Sequence, residues 1–275
     1  MFSSLGGYDA QPLLAELYDY TPPYLGRGDL AFYLNYSCAA DGKILELGCG
    51  TGRVLIPTAA AGHDIVGLDS STYMLAKCRD KLRNQPREVQ GRSQIIYGDM
   101  TDFDLKEKFS LITLPFRSFQ HLISVSDQLA CLACVNRHLN IGGEVILDLF
   151  QVDTNRIANP AYVEESEDFP EVELPDGRTF RRSHRIVAFH RAEQYNDVEL
   201  IFYVTYPNGK TVRLVQEFPF RYFFRYEVEH LFARTGFGVV ELFGDFDKSP
   251  LSNDSPEMIF IAEKLRDLPA SEAGS

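Results

Sequence analysis

The segment Leu45-Glu46-Leu47-Gly48-Cys49-Gly50-Thr51-Gly52-Arg53 carries an apolar run into a glycine turn and on into a helix-forming stretch. Glycines at 48, 50 and 52 permit a tight turn and let the backbone come close to a ligand, and a helix opening behind them offers unpaired N–H groups. Spacing then selects among ligands. A dinucleotide fingerprint wants glycine where Arg53 stands, and a phosphate loop wants a Gly-Lys-Ser/Thr ending that is absent. Two carboxylates follow, Asp69 in Ile65-Val66-Gly67-Leu68-Asp69 and Asp99 in Ile96-Tyr97-Gly98-Asp99-Met100. A carboxylate at the carboxyl end of a strand can accept both hydroxyls of a ribose. Either acid alone also reads as a strand-end cap or a solvent-facing group; with the glycines they describe a site for a nucleotide-like ligand that needs no phosphate cradle.

The elements that must hold these residues are short. Runs at Lys43–Leu47, Asp64–Leu68, Gln94–Tyr97, Phe109–Leu114 and Glu144–Leu149 alternate with helical stretches near Thr51–Ala61, Thr72–Arg83 and Ser126–Leu139. Such alternation is the pattern of βαβ units and a parallel sheet. It places the glycine turn, Asp69 and Asp99 along one edge, at the carboxyl ends of three strands. Gly142-Gly143 is expected to end the third helix. From Ala161 to Arg225 the pattern becomes three or four antiparallel strands with hairpin turns at Pro175-Asp176-Gly177, Gln194-Tyr195-Asn196-Asp197 and Pro207-Asn208-Gly209. Helix returns over Tyr226–Thr235, stopped by Gly236, and Val239–Phe243 and Met258–Glu263 read as closing strands.

The ordered series Glu46-Leu47-Gly48-Cys49-Gly50-Thr51-Gly52, then Gly67-Leu68-Asp69-Ser70-Ser71 with Met74-Leu75, then Gly98-Asp99-Met100, resembles the motifs of class I S-adenosylmethionine-dependent methyltransferases. His138-Leu139-Asn140-Ile141-Gly142-Gly143 is similar to the turn that family carries before its fifth strand. The resemblance implies an α/β fold: a Rossmann-like, seven-stranded, mostly parallel sheet with helices on both faces, and an antiparallel β insert before the last helix and two strands. It implies S-adenosyl-L-methionine as cofactor. Carried over by position, Glu46 and Gly48 lie near the methionine moiety, with Cys49, Gly50 and Gly52 in the turn around it. Asp69 holds the ribose hydroxyls, Ser70 and Met74 border the adenine, Asp99 accepts from the adenine amino group beside Met100, and Pro115 closes the cofactor side. In such enzymes the amino-terminal segment folds over the cofactor, which assigns Tyr18 to it and Tyr20 to the catalytic side. A tyrosine-rich helix packed on the core is the other reading of that segment.

On the acceptor side, the fourth strand ends in Leu114-Pro115-Phe116-Arg117-Ser118-Phe119-Gln120-His121. Methyl transfer draws most of its acceleration from holding nucleophile and sulfonium together, with a base removing a proton where the nucleophile requires it. His121 is the candidate base, or else a helix cap; Arg117 either binds an acceptor anion or pairs with a surface acid. The insert holds nine Lys or Arg against four Asp or Glu over 178–225, after seven acids over 161–177. That basic stretch either marks an anionic acceptor or pairs with its acidic neighbour. An insert at this point resembles small-molecule N-methyltransferases, glycine and amino-sugar methylating enzymes among them, and implies a small metabolite methylated at nitrogen or oxygen. A protein methyltransferase and a non-catalytic S-adenosylmethionine or S-adenosylhomocysteine binding module are the alternatives.

The composition of the 275-residue chain, 45% apolar and 24% charged, is that of a folded protein. Its net charge of −12 is opposite in sign to a nucleic-acid footprint, so no nucleic acid is expected as partner. Neither a membrane span nor a signal peptide is read in it, which predicts a cytoplasmic protein, monomeric or homodimeric. Five scattered cysteines predict thiols rather than disulfides. Cys131-Leu-Ala-Cys134 falls within one amphipathic helix and is expected in the core, with no metal site. The main domain is expected over 1–160 and 226–267, the insert, roofing the acceptor site, over 161–225, and a flexible tail over 268–275.

Overall fold

The computed structural model describes residues 11–153, 157 and 159–269. In chain order its strands are β1 (Ile44–Leu47), β2 (Ile65–Asp69), β3 (Ser93–Tyr97), β4 (Phe109–Leu114), β5 (Leu139–Phe150), β6 (Ser166–Glu173), β7 (Thr179–His190), β8 (Tyr195–Thr205), β9 (Thr211–Arg221), β10 (Phe237–Phe243) and β11 (Glu257–Lys264). The helices are α1 (Pro12–Tyr18), α2 (Pro22–Leu25), α3 (Asp29–Ala39), α4 (Leu55–Ala60), α5 (Thr72–Arg83), α6 (Arg87–Arg92), α7 (Val125–His138) and α8 (Arg225–Arg234). Two compact units divide these elements. Residues 28–151 with 222–269 form one, and residues 11–27 with 152–221 the other. Among the described residues no helix is long and apolar enough to cross a membrane.

The first unit is built on the expected seven-stranded sheet, in the order β10-β11-β5-β4-β1-β2-β3. Every pairing from β3 across to β5 is parallel; β11 runs antiparallel between β5 and β10. The chain leaves β1 toward β2 and β3, then returns to the other side for β4, so the strand order switches at β1. Successive residues of each central strand feed opposite cores, as a period of two requires. Leu45, Leu47, Val145, Leu147, Leu149, Met258 and Phe260 pack with α7 and α8. Ile44, Ile146, Ile259 and Ile261 pack with α3, α4 and α5. Helices therefore cover both faces.

Two helix boundaries differ from expectation for physical reasons. Gly52 sits at φ +79°, outside the right-handed helical region, so α4 starts only at Leu55 and not at Thr51. At the other end, α7 stops at His138 and β5 begins at once with Leu139, ahead of Gly142-Gly143. The fully buried Lys264 donates to the carbonyls of Asn136 and Leu139 and to Asp267 Oδ1, at 2.6, 2.9 and 2.7 Å. A cation under the last turn satisfies helix-end carbonyls that would otherwise be orphaned. The glycine pair instead bulges out of β5, between the pairings of Leu139 with Phe109 and of Glu144 with Leu111.

The second unit is the antiparallel sheet β6-β7-β8-β9. Its first and third hairpin turns fall where expected, while the middle one lies before Tyr195 because Tyr195, Asn196 and Asp197 already pair within β8. Leu14 and Leu17 of α1 share a core with Phe169, Phe180, Phe202 and Leu214. By that packing residues 11–27 group with the insert, whereas the sequence division kept them in the main domain.

Candidate active site

Gly48 leaves β1 at φ +73°, and its N–H donates to Leu68 O of β2 at 2.8 Å. A side chain here has no room, since a Cβ would lie 2.8 Å from Ser118 Cβ, on the loop after β4. The next turn residue, Gly50, donates its N–H to Asp69 Oδ2 at 2.7 Å, and Ser71 N–H donates to Asp69 Oδ1 at 2.8 Å. Asp69 thus fastens the glycine turn to the start of α5. Ser71 Oγ accepts from Met74 N–H as the N-cap, which holds the buried Met74 under the turn with its Cε 3.2 Å from the place of a Gly50 Cβ. Ser70 is exposed beside them. Asp99 is exposed after β3, its Oδ1 accepting from both the N–H and the hydroxyl of Thr101 at 2.8 Å, and Met100 is half-buried behind Gly48.

Cys49 contributes to the turn with its backbone and turns its side chain away. Its thiol is buried in the core with Val54 and Cys78, 2.8 Å from where a Gly67 Cβ would stand, and burial pushes its pKa well up. Only the backbone of Cys49 belongs to the turn. Cys131 and Cys134 lie in the α7 core as expected, burial raising both thiols.

Glu46 is the electrostatic anomaly. It is 2% exposed, on the strand that runs into the glycine turn, and its Oε2 has no hydrogen-bond partner. Burial raises its pKa to about 8; the carboxylates of Asp69 and Asp29 add to that, while Arg53 opposes it. Arg53 is itself held by the fully buried Asp29 in a two-pronged pair, Nη1–Oδ1 2.7 Å and Nη2–Oδ2 2.6 Å, and its guanidinium lies 5.2 Å from the Phe116 ring centroid. A buried carboxyl oxygen without a partner is costly unless a ligand completes it. The residues present fit a ligand that brings donors and positive charge and lacks phosphate.

The loop after β4 is held by different means. Phe116 and Arg117 are both left-handed, at φ +58° and +63°, a conformation that costs a non-glycine residue on the order of 1–3 kcal/mol. The fully buried Asp148 of β5 accepts from both, Phe116 N–H to Oδ2 at 3.2 Å and Arg117 N–H to Oδ1 at 2.6 Å. Arg117 pairs through Nη2 with the buried Glu257 of β11, and its guanidinium stacks 3.2 Å from the Phe150 ring centroid. Gln120 Oε1 accepts Phe150 N–H at 2.8 Å. The guanidinium of Arg117, read as an acceptor-binding group or a partner for an acid, is engaged in the second way. Pro115, buried, precedes this pair of residues, and His121 ends the short 3-10 turn Ser118–His121. Crowding protein pushes the pKa of His121 down. Its side chain nonetheless keeps solvent contact, which limits the size of that shift without reversing it, so the ring is neutral at pH 7.

Tyr18 and Tyr20 belong to the antiparallel unit. Tyr18, buried, has its ring centroid 4.8 Å from that of Tyr24, and Tyr20 is 37% exposed. Tyr24 OH accepts from the buried Arg182 at 2.5 Å. Four of the insert's eight arginines meet acids of the same unit: Arg178 with Glu16 and Asp176, Arg181 with Glu167, Arg182 with Asp168, Arg185 with Glu199. Part of the basic stretch is thus paired within its own unit.

Asp148, Glu257 and Gln120 were not singled out from the sequence, and neither was the clasp of Arg53 by Asp29. The only trace of Asp148 in the sequence is one acid inside an apolar strand.

Residues 44–143 match a family model described as a methyltransferase domain. The chain is 31% identical over 156 residues to dTDP-3-amino-3,6-dideoxy-alpha-D-glucopyranose N,N-dimethyltransferase of Streptomyces fradiae, covering 54% of this chain and 57% of that protein. It is 30% identical over 142 residues to dTDP-3-amino-3,4,6-trideoxy-alpha-D-glucopyranose N,N-dimethyltransferase of Streptomyces venezuelae, covering 49% and 56%. The chain thus spans little more than half the length of these curated relatives. In fold it is similar to the CcbJ methyltransferase from Streptomyces caelestis, with a TM-score of 0.72 at 23% identity over 94% of this chain and 98% of that one.

Proposed function

With residues 44–143 belonging to the methyltransferase-domain family, we propose that the protein transfers a methyl group from S-adenosylmethionine to the amino nitrogen of a small metabolite. The observation that carries this reading is Glu46, a buried carboxyl with an unpartnered oxygen on the strand entering a glycine turn. S-adenosylmethionine supplies an electrophilic methyl on a sulfonium, together with an ammonium and a ribose. Glu46 and the backbone of Gly48, Cys49 and Gly50 take the amino-acid end, and Gly52 keeps the turn tight. Asp69 takes the ribose; Ser70, Met74, Asp99 and Met100 surround the base, with Pro115 beside them. On the acceptor side the amine's lone pair forms the new C–N bond as the C–S bond breaks, and the nitrogen gives up a proton. His121, neutral at pH 7, is the group to take it. Arg117 has a loop-holding part in this reading rather than an acceptor-binding one.

Amino sugars are the acceptor class the reading favours, because two of the relatives at 30% identity or more, and the two matched over the longest stretches among these, are named for N,N-dimethylation of a dTDP-linked amino sugar. A dTDP-linked sugar carries a diphosphate, so this acceptor class is itself anionic, although Arg178, Arg181, Arg182 and Arg185 of the insert are held by acids of their own unit. Free thiols at all five cysteines support a reducing, cytoplasmic setting. The test is methyl-labelled S-adenosylmethionine with a panel of dTDP-amino sugars, beginning with the 3-amino-3,6-dideoxyglucose compound. Label on the sugar nitrogen is the expected result. Label on polypeptide alone, or tight binding of S-adenosylhomocysteine with no transfer to any amine, overturns it.

A further inference from the structure

Among the described residues, Phe116 and Arg117 are the only two neighbouring non-glycine residues that are both left-handed. They stand at the carboxyl end of β4, next to the strand where the order switches, which is the edge at which open α/β sheets bind ligands. A backbone of this kind persists only where its surroundings over-determine it. Here three separate groups from β5, β11 and the loop itself do so: Asp148 on both backbone N–H groups, Glu257 on the Arg117 guanidinium, and Gln120 on the backbone of Phe150. The cofactor-side turn is held by other groups, chiefly Asp69 on Gly50 and Ser71.

We infer that Asp148 is a positioning residue for transfer: by accepting both N–H groups it fixes the left-handed pair and so sets where His121 and the rest of the loop stand. Asp148 touches no reacting atom; its action runs through four residues of backbone to the base. The inference rests on the methyl-transfer reading, and it has a chemical signature. Its two oxygens give each of the two converging donors an acceptor of its own. An amide at this position turns one of its two atoms into a donor facing a donor.

The test compares the full-length protein with Asp148→Asn and Asp148→Glu. Hydrogen exchange at the Phe116 and Arg117 amides, the melting temperature, S-adenosylhomocysteine affinity by calorimetry, and kcat and KM on the dTDP-amino sugar panel are read on each. In Asp148→Asn the two amides are expected to exchange about tenfold faster or more, because an opened loop loses its protection. Turnover falls about tenfold or more in kcat, the cost of a misplaced base, while S-adenosylhomocysteine affinity stays within about threefold. Asp148→Glu recovers part of both losses. If Asp148→Asn does not fold, the wild-type amides alone decide: both must exchange about 100-fold slower than free peptide or more. Unchanged amide rates in the variant, unprotected amides in the wild type, or cofactor affinity falling in step with turnover would each overturn the inference. Failure of the methyl-transfer reading shows separately, as a wild type that methylates no amine while the amide rates still report the clamp.

Discussion

Two loops meet at the switch point of the seven-stranded sheet, and they reach unusual backbone conformations by opposite routes. The turn after β1 uses residues without side chains: Gly48, Gly50 and Gly52 are left-handed at little cost, and Asp69 fastens what is already permitted. The loop after β4 uses Phe and Arg in the same region of backbone space, and a buried carboxylate from β5 compels them. A glycine turn tolerates close approach by a ligand; a clamped loop keeps its side chains and presents them at a set angle. On the proposed function, the difference suits one loop that wraps a cofactor and another that aims a base.

That contrast breaks most severely on the glycine side. Gly48→Val adds a branched side chain where a Cβ alone would meet Ser118 Cβ at 2.8 Å. S-adenosylhomocysteine affinity measured by calorimetry is expected to fall on the order of 100-fold or more. On the other loop His121→Gln separates the two halves: kcat on an amino sugar drops about 100-fold, within the usual span for a general base, and cofactor affinity holds. An equal loss of both would mean the loops are one unit.

Glu46 sharpens the comparison through pH. Its raised pKa, about 8, leaves it neutral in the free protein at pH 7, and a bound cation favours its ionised form. Cofactor binding therefore releases a proton, and affinity weakens by up to about tenfold for each pH unit below 8. Glu46→Gln flattens that profile. Stability carries the opposite sign, because the folded state binds the Glu46 proton more tightly than the unfolded chain does. Between about pH 4.5 and 8 the wild type loses stability as pH rises, and Glu46→Gln removes that slope in urea melts at pH 5 and pH 8.

The smallest effect is expected at Glu257→Gln. It weakens one of three holds on the clamped loop and keeps a hydrogen-bond acceptor for Arg117, so kcat should fall only about threefold, within the range of one weakened polar contact. A tenfold loss would make the ion pair, and not Asp148, the main constraint.

The cofactor side was largely legible in the sequence because its devices are local. Glycines at 48, 50 and 52, and acids at strand ends, announce themselves by residue type, and the strands were readable from apolar runs of the right length. The direction of the Cys49 side chain was not legible, because position in a motif does not tell which way a side chain points; its thiol packs where a Gly67 Cβ would stand. The clamp was not legible at all. Its donors are backbone N–H groups, which every residue but proline has, and its acceptor lies 32 and 31 residues further along the chain. Phe116 and Arg117 carry no compositional sign of a left-handed backbone. The same holds for Lys264, whose burial depends on carbonyls of a helix more than a hundred residues earlier.

The position of β11 has a consequence for biosynthesis. Among the described residues it is the last strand in the chain, yet it lies inside the sheet between β5 and β10, and it brings both Lys264 for α7 and Glu257 for Arg117. While the chain is still emerging from the ribosome, the glycine turn and Asp69 have all their partners long before the clamped loop has its own. A nascent chain halted short of residue 257 would hold the glycine turn and Asp69 and still lack one anchor of the clamped loop. The two loops of the switch point thus gain their supports at different moments of translation, the clamped loop its Glu257 anchor only as β11 takes its place in the sheet.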